Sequence, residues 1–298
     1  MMYWLVKPLV WILCKLPLKC LHSIGRFLAA TVWALSKERR RIAIINAKII
    51  GVQNPEEVAR KSFDYTFMAY MEKFYAHNIT DDFFHKNVTV TGIENYNDVM
   101  ERNNNHTILA GGHFGTWGLF PCLFTKVGNC KLVTVGRASK NKAIDRIMAE
   151  LRTFDNIAYV THRGALEKLP QYMNDGYLLG VYLDHTATPK DCINVPFFGY
   201  KTPTIAGIYA MAARKNLPIL PMFARFKEEG GYEVIILPAI YPDKSLKPKE
   251  RIEKLATDMN KIYEQIFSKY PEQWYLIHRR FKRVEEADGT ISDRVYRS

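Results

Sequence analysis

The chain has 298 residues, of which 48% are hydrophobic and 24% charged, a composition that excludes an intrinsically disordered protein and allows a sizeable core. The net charge of +12 favours polyanionic partners, such as an anionic membrane surface or an acidic carrier protein. Five cysteines without a CxxC pair exclude zinc-ligand spacing and favour free thiols in a reducing compartment.

The N-terminal segment, residues 1–36, is rich in Trp, Leu, Val and Ile, but basic residues interrupt it every few positions. No run reaches the roughly 20 apolar residues that span a bilayer, and the charges are not placed as in a signal peptide. Long basic side chains can extend to lipid headgroups while their stems stay in apolar surroundings. The pattern predicts an amphipathic or re-entrant membrane anchor; a core-packed helix is the alternative.

The basic run "KERRR", residues 37–41, follows directly. Next to an apolar anchor, such a cluster is attracted to anionic lipids and indicates the cytoplasmic side of the membrane; a solvated face is the alternative. We therefore predict two parts: a membrane anchor with its basic flank over residues 1–41, and an α/β domain over residues 42–298.

Beyond the anchor, apolar periodicity first predicts a helix over residues 55–77, after which strands and helices alternate. Strands are predicted at residues 88–92, 106–112, 131–137, 157–162, 177–185, 218–226 and 232–240, and helices at residues 117–128, 140–154, 164–176, 204–216 and 249–274. Such alternation predicts an α/β fold with a mixed, largely parallel sheet flanked by helices.

Functional side chains follow three of these strands: His113, Arg137, and Asp184 with His185. In α/β sheets, chemistry occurs where the carboxyl ends of strands meet the following loops. His113 lies in "AGGHFGTWGLF" (residues 110–120), on a glycine turn before a predicted helix. It is a candidate general base, and the start of the helix could supply N–H donors for developing negative charge. A capping histidine is the alternative.

Several blocks resemble one family. "GGHFGTWGLF" is similar to the "GHFGNWE" block of the bacterial lipid A biosynthesis acyltransferases, within the glycerolipid acyltransferase superfamily. "VGRASKNKAIDRIMAELR", the segment over residues 173–226, "YPEQWYLIHRRFK" and the N-terminal anchor with its basic run resemble further segments of that family. The resemblance covers nearly the whole chain.

The resemblance implies a glycerolipid-acyltransferase-like fold that transfers a fatty acyl chain from a thioester to a membrane lipid. The donor would be acyl carrier protein or coenzyme A, and the acceptor a lipid A precursor at the cytoplasmic face of the bacterial inner membrane. His113 would deprotonate the acceptor hydroxyl, with no metal ion and no redox cofactor. Nucleic acid is not an expected partner, because no basic face with interleaved aromatic residues is evident.

Substrate contacts are expected from two kinds of residue. Arginines match phosphates in a bidentate manner, and surface salt bridges are their alternative role. Phenylalanines of the "VPFFG" segment could line the acyl channel or support the acceptor site, with core packing as the alternative. The predicted substrate-binding residues are Gly115, Thr116, Arg137, Phe197, Phe198, Arg279 and Arg280.

One position departs from the family pattern. Five residues after the histidine the family has Asp or Glu, which orients the imidazole, and this chain has Gly118. Asp184 could replace that carboxylate and is the first candidate, with Glu72 a weaker one. Alternatively, His113 acts alone, for instance on an amine, or the chain has lost acyl transfer and only binds lipid or carrier.

Overall fold

The computed structural model describes residues 2–103, 106–154 and 156–297. Four helices form its N-terminal part: α1 (Met2–Lys15), α2 (Leu18–Leu35), α3 (Lys37–Ile50) and α4 (Pro55–Glu72). Ser36 caps α3, since its side chain accepts a hydrogen bond from the Arg39 N–H at 3.4 Å. Both α2 and α3 pack on α4. No helix among the described residues is both long and apolar enough to cross a membrane.

The basic run 37–41 forms the first turn of α3 rather than a separate flank, so the predicted boundary after residue 41 falls inside a helix. Two of its arginines donate hydrogen bonds to backbone carbonyls near the C-terminus. Arg39 Nη1 lies 3.3 Å from the Ile277 carbonyl, and Arg41 Nη2 lies 2.5 Å from that of Tyr296. These contacts join the run to the α/β part of the chain.

The α/β part contains eleven strands and seven helices among the described residues. In chain order they begin with α5 (Asp81–Asn87), β1 (Val88–Thr91), α6 (Ile93–Arg102), β2 (Ile108–Gly111), α7 (Phe120–Gly128), β3 (Lys131–Gly136), α8 (Lys142–Glu150), β4 (Ile157–Thr161), α9 (Ala165–Asn174) and β5 (Tyr177–Tyr182). They continue with β6 (Cys192–Phe197), β7 (Tyr200–Ile205), α10 (Gly207–Lys215), β8 (Ile219–Phe226), β9 (Tyr232–Ile236), α11 (Pro248–Lys269), β10 (Val284–Glu285) and β11 (Ile291–Ser292).

Seven strands form one sheet in the order β1-β9-β8-β2-β5-β3-β4. Strands β8 and β9 pair antiparallel, and the other neighbours pair parallel. Strand β2 shows how the sheet is covered: Ile108 and Ala110 face one hydrophobic core with α9, α10 and α11, and Leu109 faces a second core with α6 and α7. The predicted mixed, largely parallel sheet flanked by helices is confirmed.

A second sheet, β11-β10-β7-β6, is antiparallel and was not predicted. Its main hairpin joins β6 to β7 through Phe198 and Gly199, whose φ angles are 46° and 76°. Prolines 196 and 203 lie within these strands, and proline removes a backbone donor, so this segment does not read as a strand from sequence.

Candidate active site

The structure brings the ends of β2 and β5 together. These strands are parallel neighbours, and Gly111 at the end of β2 pairs with Tyr182 at the end of β5. Two residues beyond each end lie His113 and Asp184. Adjacent parallel strands end at the same edge, so their following side chains meet there.

His113 and Asp184 form two hydrogen bonds. His113 Nδ1 lies 2.9 Å from Asp184 Oδ1, and the His113 backbone N–H donates to Oδ2 at 3.0 Å. The indole of Trp274 also donates to Oδ2, at 3.2 Å. Both carboxylate oxygens of Asp184 are therefore used, and the residue is 2% exposed.

Asp184 is ionised in this arrangement. Its burial opposes the charged form, but the charge of His113 and its hydrogen bonds hold the pKa of the carboxyl well below its usual range. An ionised carboxylate only accepts hydrogen bonds, so Nδ1 of His113 carries a proton, and in the neutral imidazole Nε2 carries the lone pair. None of the described hydrogen bonds uses Nε2, and 18% of the His113 side chain is exposed. The pair thus presents a basic nitrogen, as in a histidine–carboxylate dyad.

Aromatic rings hold the imidazole in place. The ring of His185 stacks on that of His113, with centroids 3.8 Å apart and planes 3° apart, and His278 follows His185 at 4.3 Å. Burial lowers the pKa of His185 well below its usual value and that of His278 to about 3. Both are therefore neutral near pH 7. Trp117 and Tyr182 border the same ring, at 5.1 and 4.9 Å.

His113, Asp184 and His185 are also the one group of potential metal ligands found among the described residues. The imidazoles of His113 and His185 lie in parallel planes, so the in-plane lone pairs of their nitrogens do not converge on one point between them. Asp184 Oδ1 is already bound to His113. The arrangement suits proton transfer better than a shared metal ion; the sequence-based expectation of a metal-free site stays a prediction.

The turn after His113 packs tightly. The backbone N–H groups of Phe114, Gly115 and Thr116 donate to carbonyl oxygens of Gly112, Gln273 and Ala224, at 2.8, 2.8 and 3.0 Å. Helix α7 begins only at Phe120. Gly115 has a φ of 53°, and a Cβ there would lie 2.1 Å from the Ala224 carbonyl oxygen. These three N–H groups are bonded within the protein; that the start of the helix supplies donors for developing negative charge stays a prediction.

Gly118 lies against the last turn of α4. A Cβ at this position would lie 2.0 Å from the Ala69 carbonyl oxygen and 3.3 Å from the Cβ of Glu72. A side chain therefore does not fit at the position where the sequence resemblance led us to expect a carboxylate.

Glu72 fills this region but is bound elsewhere. Its Oε1 pairs with His22 Nε2 at 2.9 Å and accepts from the Tyr232 hydroxyl at 2.7 Å, and its Oε2 accepts from Thr116 Oγ1 at 2.6 Å. Glu72 thus ties α2 and α4 to the turn after His113. Of the two carboxylates considered from sequence, the structure places only Asp184 on His113.

The three predicted arginines lie in different environments. Arg137 is exposed just beyond β3. Arg279 is partly exposed, 3.7 Å from Glu38, with its guanidinium over the Tyr296 ring.

Arg280 is fully buried and donates to the Pro203 carbonyl and to Thr204 Oγ1, at 3.1 and 2.9 Å. Burial lowers its pKa to about 10, which leaves it charged near pH 7. The expectation that Arg280 holds a headgroup is corrected, because a lipid cannot reach it in this fold.

The two phenylalanines differ in burial. Phe197 is fully buried against Trp274 and Phe281, and its ring faces the Arg280 guanidinium at 4.7 Å, so it follows the core-packing alternative. Phe198 is partly exposed in the hairpin turn, where its N–H donates to Glu264 at 2.5 Å. A role of Phe198 in the acyl channel stays a prediction.

The segment after α11 contributes residues that sequence analysis did not select. Trp274 holds Asp184, Tyr275 donates its N–H to the His113 carbonyl at 3.0 Å, and His278 accepts from the Thr186 N–H at 3.3 Å. The signal was available, because all three lie in "YPEQWYLIHRRFK", one of the blocks that carried the resemblance.

Comparison with known proteins agrees with the resemblance. Residues 1–283 match the family described as bacterial lipid A biosynthesis acyltransferase. The chain is 27% identical over 291 residues to the lipid A biosynthesis lauroyltransferase of Escherichia coli K12, covering 95% of this chain and 92% of the relative. It is 25% identical over 301 residues to the lipid A biosynthesis palmitoleoyltransferase of the same strain, covering 97% and 94%. The chain belongs to the bacterial lipid A biosynthesis acyltransferase family, and it is an acyltransferase.

Proposed function

We propose that this enzyme transfers a fatty acyl chain from an acyl carrier protein thioester to a hydroxyl group of a lipid A precursor. The observation that carries the proposal is the bond between His113 Nδ1 and the buried, ionised Asp184, which leaves the basic Nε2 unused. The names of the relatives support the choice of a lipid A precursor as acceptor.

The chemistry needs only this pair and the two substrates. His113 Nε2 accepts the proton of the acceptor hydroxyl as its oxygen attacks the thioester carbonyl carbon. Asp184 stabilises the imidazolium that forms. The tetrahedral intermediate then breaks its C–S bond, the new ester forms, and the leaving sulfur takes the proton from His113. No metal ion or redox cofactor enters these steps.

The first two helices support a role at the membrane. They expose large apolar side chains, among them Trp4, Trp11, Phe27 and Leu35, which are 64–80% exposed. Basic residues interrupt both helices, Lys7 and Lys15 in α1 and Lys19 and Arg26 in α2, as in helices that lie in the bilayer interface. We place these helices in the cytoplasmic face of the bacterial inner membrane, where a surface of net charge +12 attracts both anionic lipids and an acidic carrier protein.

The test is acyl transfer by the purified full-length protein in detergent. Acyl carrier protein thioester is supplied with a lipid A precursor, or in parallel with an aminolipid, and products are identified by mass spectrometry. We expect an acylated lipid A precursor, and a loss on the order of 10³-fold in His113→Ala, as for removal of a general base. His85→Ala, on the exposed face of α5, is the matched control and should keep full activity.

Two outcomes would contradict the proposal. Retained lipid binding without product from any acceptor would identify a binding protein. Full activity of His113→Ala would refute the mechanism.

A further inference from the structure

Two cations close to His113 have no acidic partner among the described residues. Lys73 directly follows α4, and its Nζ lies 4.2 Å from the centroid of the Trp117 ring and 5.1 Å from that of Tyr70. Arg152 follows α8, and its guanidinium lies 4.9 Å from the centroid of the Tyr159 ring. Each is held by aromatic faces, which attract cations but do not neutralise them.

Each cation is linked to the candidate active site through an aromatic residue that borders His113. The Trp117 ring that carries Lys73 is 5.1 Å from the His113 ring, so the Lys73 ammonium and the imidazole contact the same indole. Arg152 reaches the end of β3, where its Nη1 would lie 2.6 Å from a Cβ at Gly136. Its charge also acts on Tyr182, whose ring borders His113.

The two positive charges oppose each other. Burial, followed by the charge of Arg152, lowers the pKa of Lys73 to about 7. Glu72, the next residue along the chain, is bound by His22, Tyr232 and Thr116 and gives Lys73 no ion pair. Two like charges in a partly buried region without a counter-ion are unfavourable, and a bound anion would remove that cost. Phosphate is suited to this pair, because it accepts charge-assisted hydrogen bonds from lysine and arginine together.

We propose that Lys73 and Arg152 form a phosphate-binding site beside His113. Its role in turnover depends on the proposed acyl transfer, since the phosphate would belong to one of the two substrates. It is either a phosphate of the lipid acceptor or the phosphodiester of the carrier protein's prosthetic arm. In both cases the site would fix a substrate relative to the imidazole.

The first test measures binding without activity. The full-length protein in detergent is treated at pH 7 with an amine-acetylating reagent, with and without inorganic pyrophosphate, and modification of each lysine is followed by peptide mass spectrometry. We expect pyrophosphate to slow modification of Lys73 by about tenfold, the effect of one charge-assisted contact. Lys61, paired with Glu57 on the same helix, is the control and should react equally in both conditions.

Arg152→Gln should abolish the protection of Lys73. Equal modification of Lys73 with and without pyrophosphate would overturn the site, even if the enzyme transfers acyl chains. Protection without acyl transfer would instead contradict the proposed function and leave the phosphate site standing.

The second test identifies which substrate carries the phosphate. Lys73→Gln should raise the KM of the phosphate-bearing substrate about tenfold, whereas Lys73→Arg should restore it, since the charge and the aromatic contacts persist. If the site binds the donor, the KM difference between the parent and Lys73→Gln should disappear with an acyl thioester that lacks the phosphodiester. If the site binds the acceptor, the difference should disappear with a dephosphorylated acceptor. A KM difference that persists with both phosphate-free substrates would overturn the proposal.

Discussion

Restoring the family carboxylate at position 118 should damage this enzyme rather than improve it. In Gly118→Glu, the new Cβ would lie 2.0 Å from the Ala69 carbonyl oxygen. That atom is helix backbone, so it cannot move aside as the end of a flexible side chain can. The added carboxylate would also lie beside Glu72, which is fully buried and already bonded through both oxygens.

The magnitude follows from these two effects. Overpacking against rigid backbone costs about 1–3 kcal/mol, which Gly118→Ala alone should show. Burying a second polar group without a partner adds about 1–3 kcal/mol. We therefore expect Gly118→Glu to lose about 3 kcal/mol or more of unfolding free energy.

The assay is equilibrium unfolding by urea in detergent, followed by near-ultraviolet circular dichroism, with acyl transfer measured on the same samples. Gly207→Ala is the control, because a Cβ there meets only methyl groups of Leu166, and its stability should stay within about 0.5 kcal/mol of the parent. A Gly118→Glu protein as stable as the parent and more active would refute both the packing argument and the assignment of Asp184.

Three further predictions concern buried and exposed groups. His278 keeps a pKa of about 3 in the fold because it is buried, but it protonates near pH 6.5 when unfolded. The unfolding free energy should therefore fall as the pH drops below 6.5, by up to about 1.4 kcal/mol per pH unit for this group. Urea unfolding measured at several pH values should show a smaller dependence of this free energy on pH for His278→Asn. Arg280→Ala should lose about 3 kcal/mol of unfolding free energy, because two buried acceptors lose their donor and a cavity forms. Arg279→Ala should lose less than about 1 kcal/mol, since Arg279 is partly exposed. Similar urea midpoints for the two variants would contradict this prediction. Replacing Trp11 and Phe27 by Ser should weaken binding to anionic vesicles by a factor on the order of 10² or more, since burial of each aromatic side chain contributes about 1.5–3 kcal/mol. The unfolding free energy should not change. Unchanged sedimentation of the protein with vesicles would contradict the proposed membrane face.

The sequence predicted the sheet and made Asp184 the first candidate partner of His113, because both residues follow predicted strands. Alternating apolar segments predict parallel strands, and parallel strands bring their carboxyl ends to one edge. The strand order, which makes β2 and β5 direct neighbours, is set by packing over the whole chain.

The remaining errors concern contacts between distant segments. Arg280 is charged, which favours exposure, yet it is buried by hydrogen bonds to residues 203 and 204. The ring contact between His185 and His278 joins positions 93 residues apart in the chain, the difference between 278 and 185. The glycine turn after His113 was correctly placed at a strand end, but its N–H groups are bonded to Ala224 and Gln273, which no local pattern indicates.

The central claim is that Asp184, rather than a residue at position 118, orients His113 for acyl transfer. The most direct measurement is the turnover rate of Asp184→Asn with acyl carrier protein thioester and a lipid A precursor. The exposed Asp175→Asn serves as the control. The account predicts a loss of turnover on the order of 10²–10⁴-fold, as when the carboxylate of such a dyad loses its charge, with parent-like activity in the control. An Asp184→Asn enzyme that folds and turns over at the parent rate would contradict it.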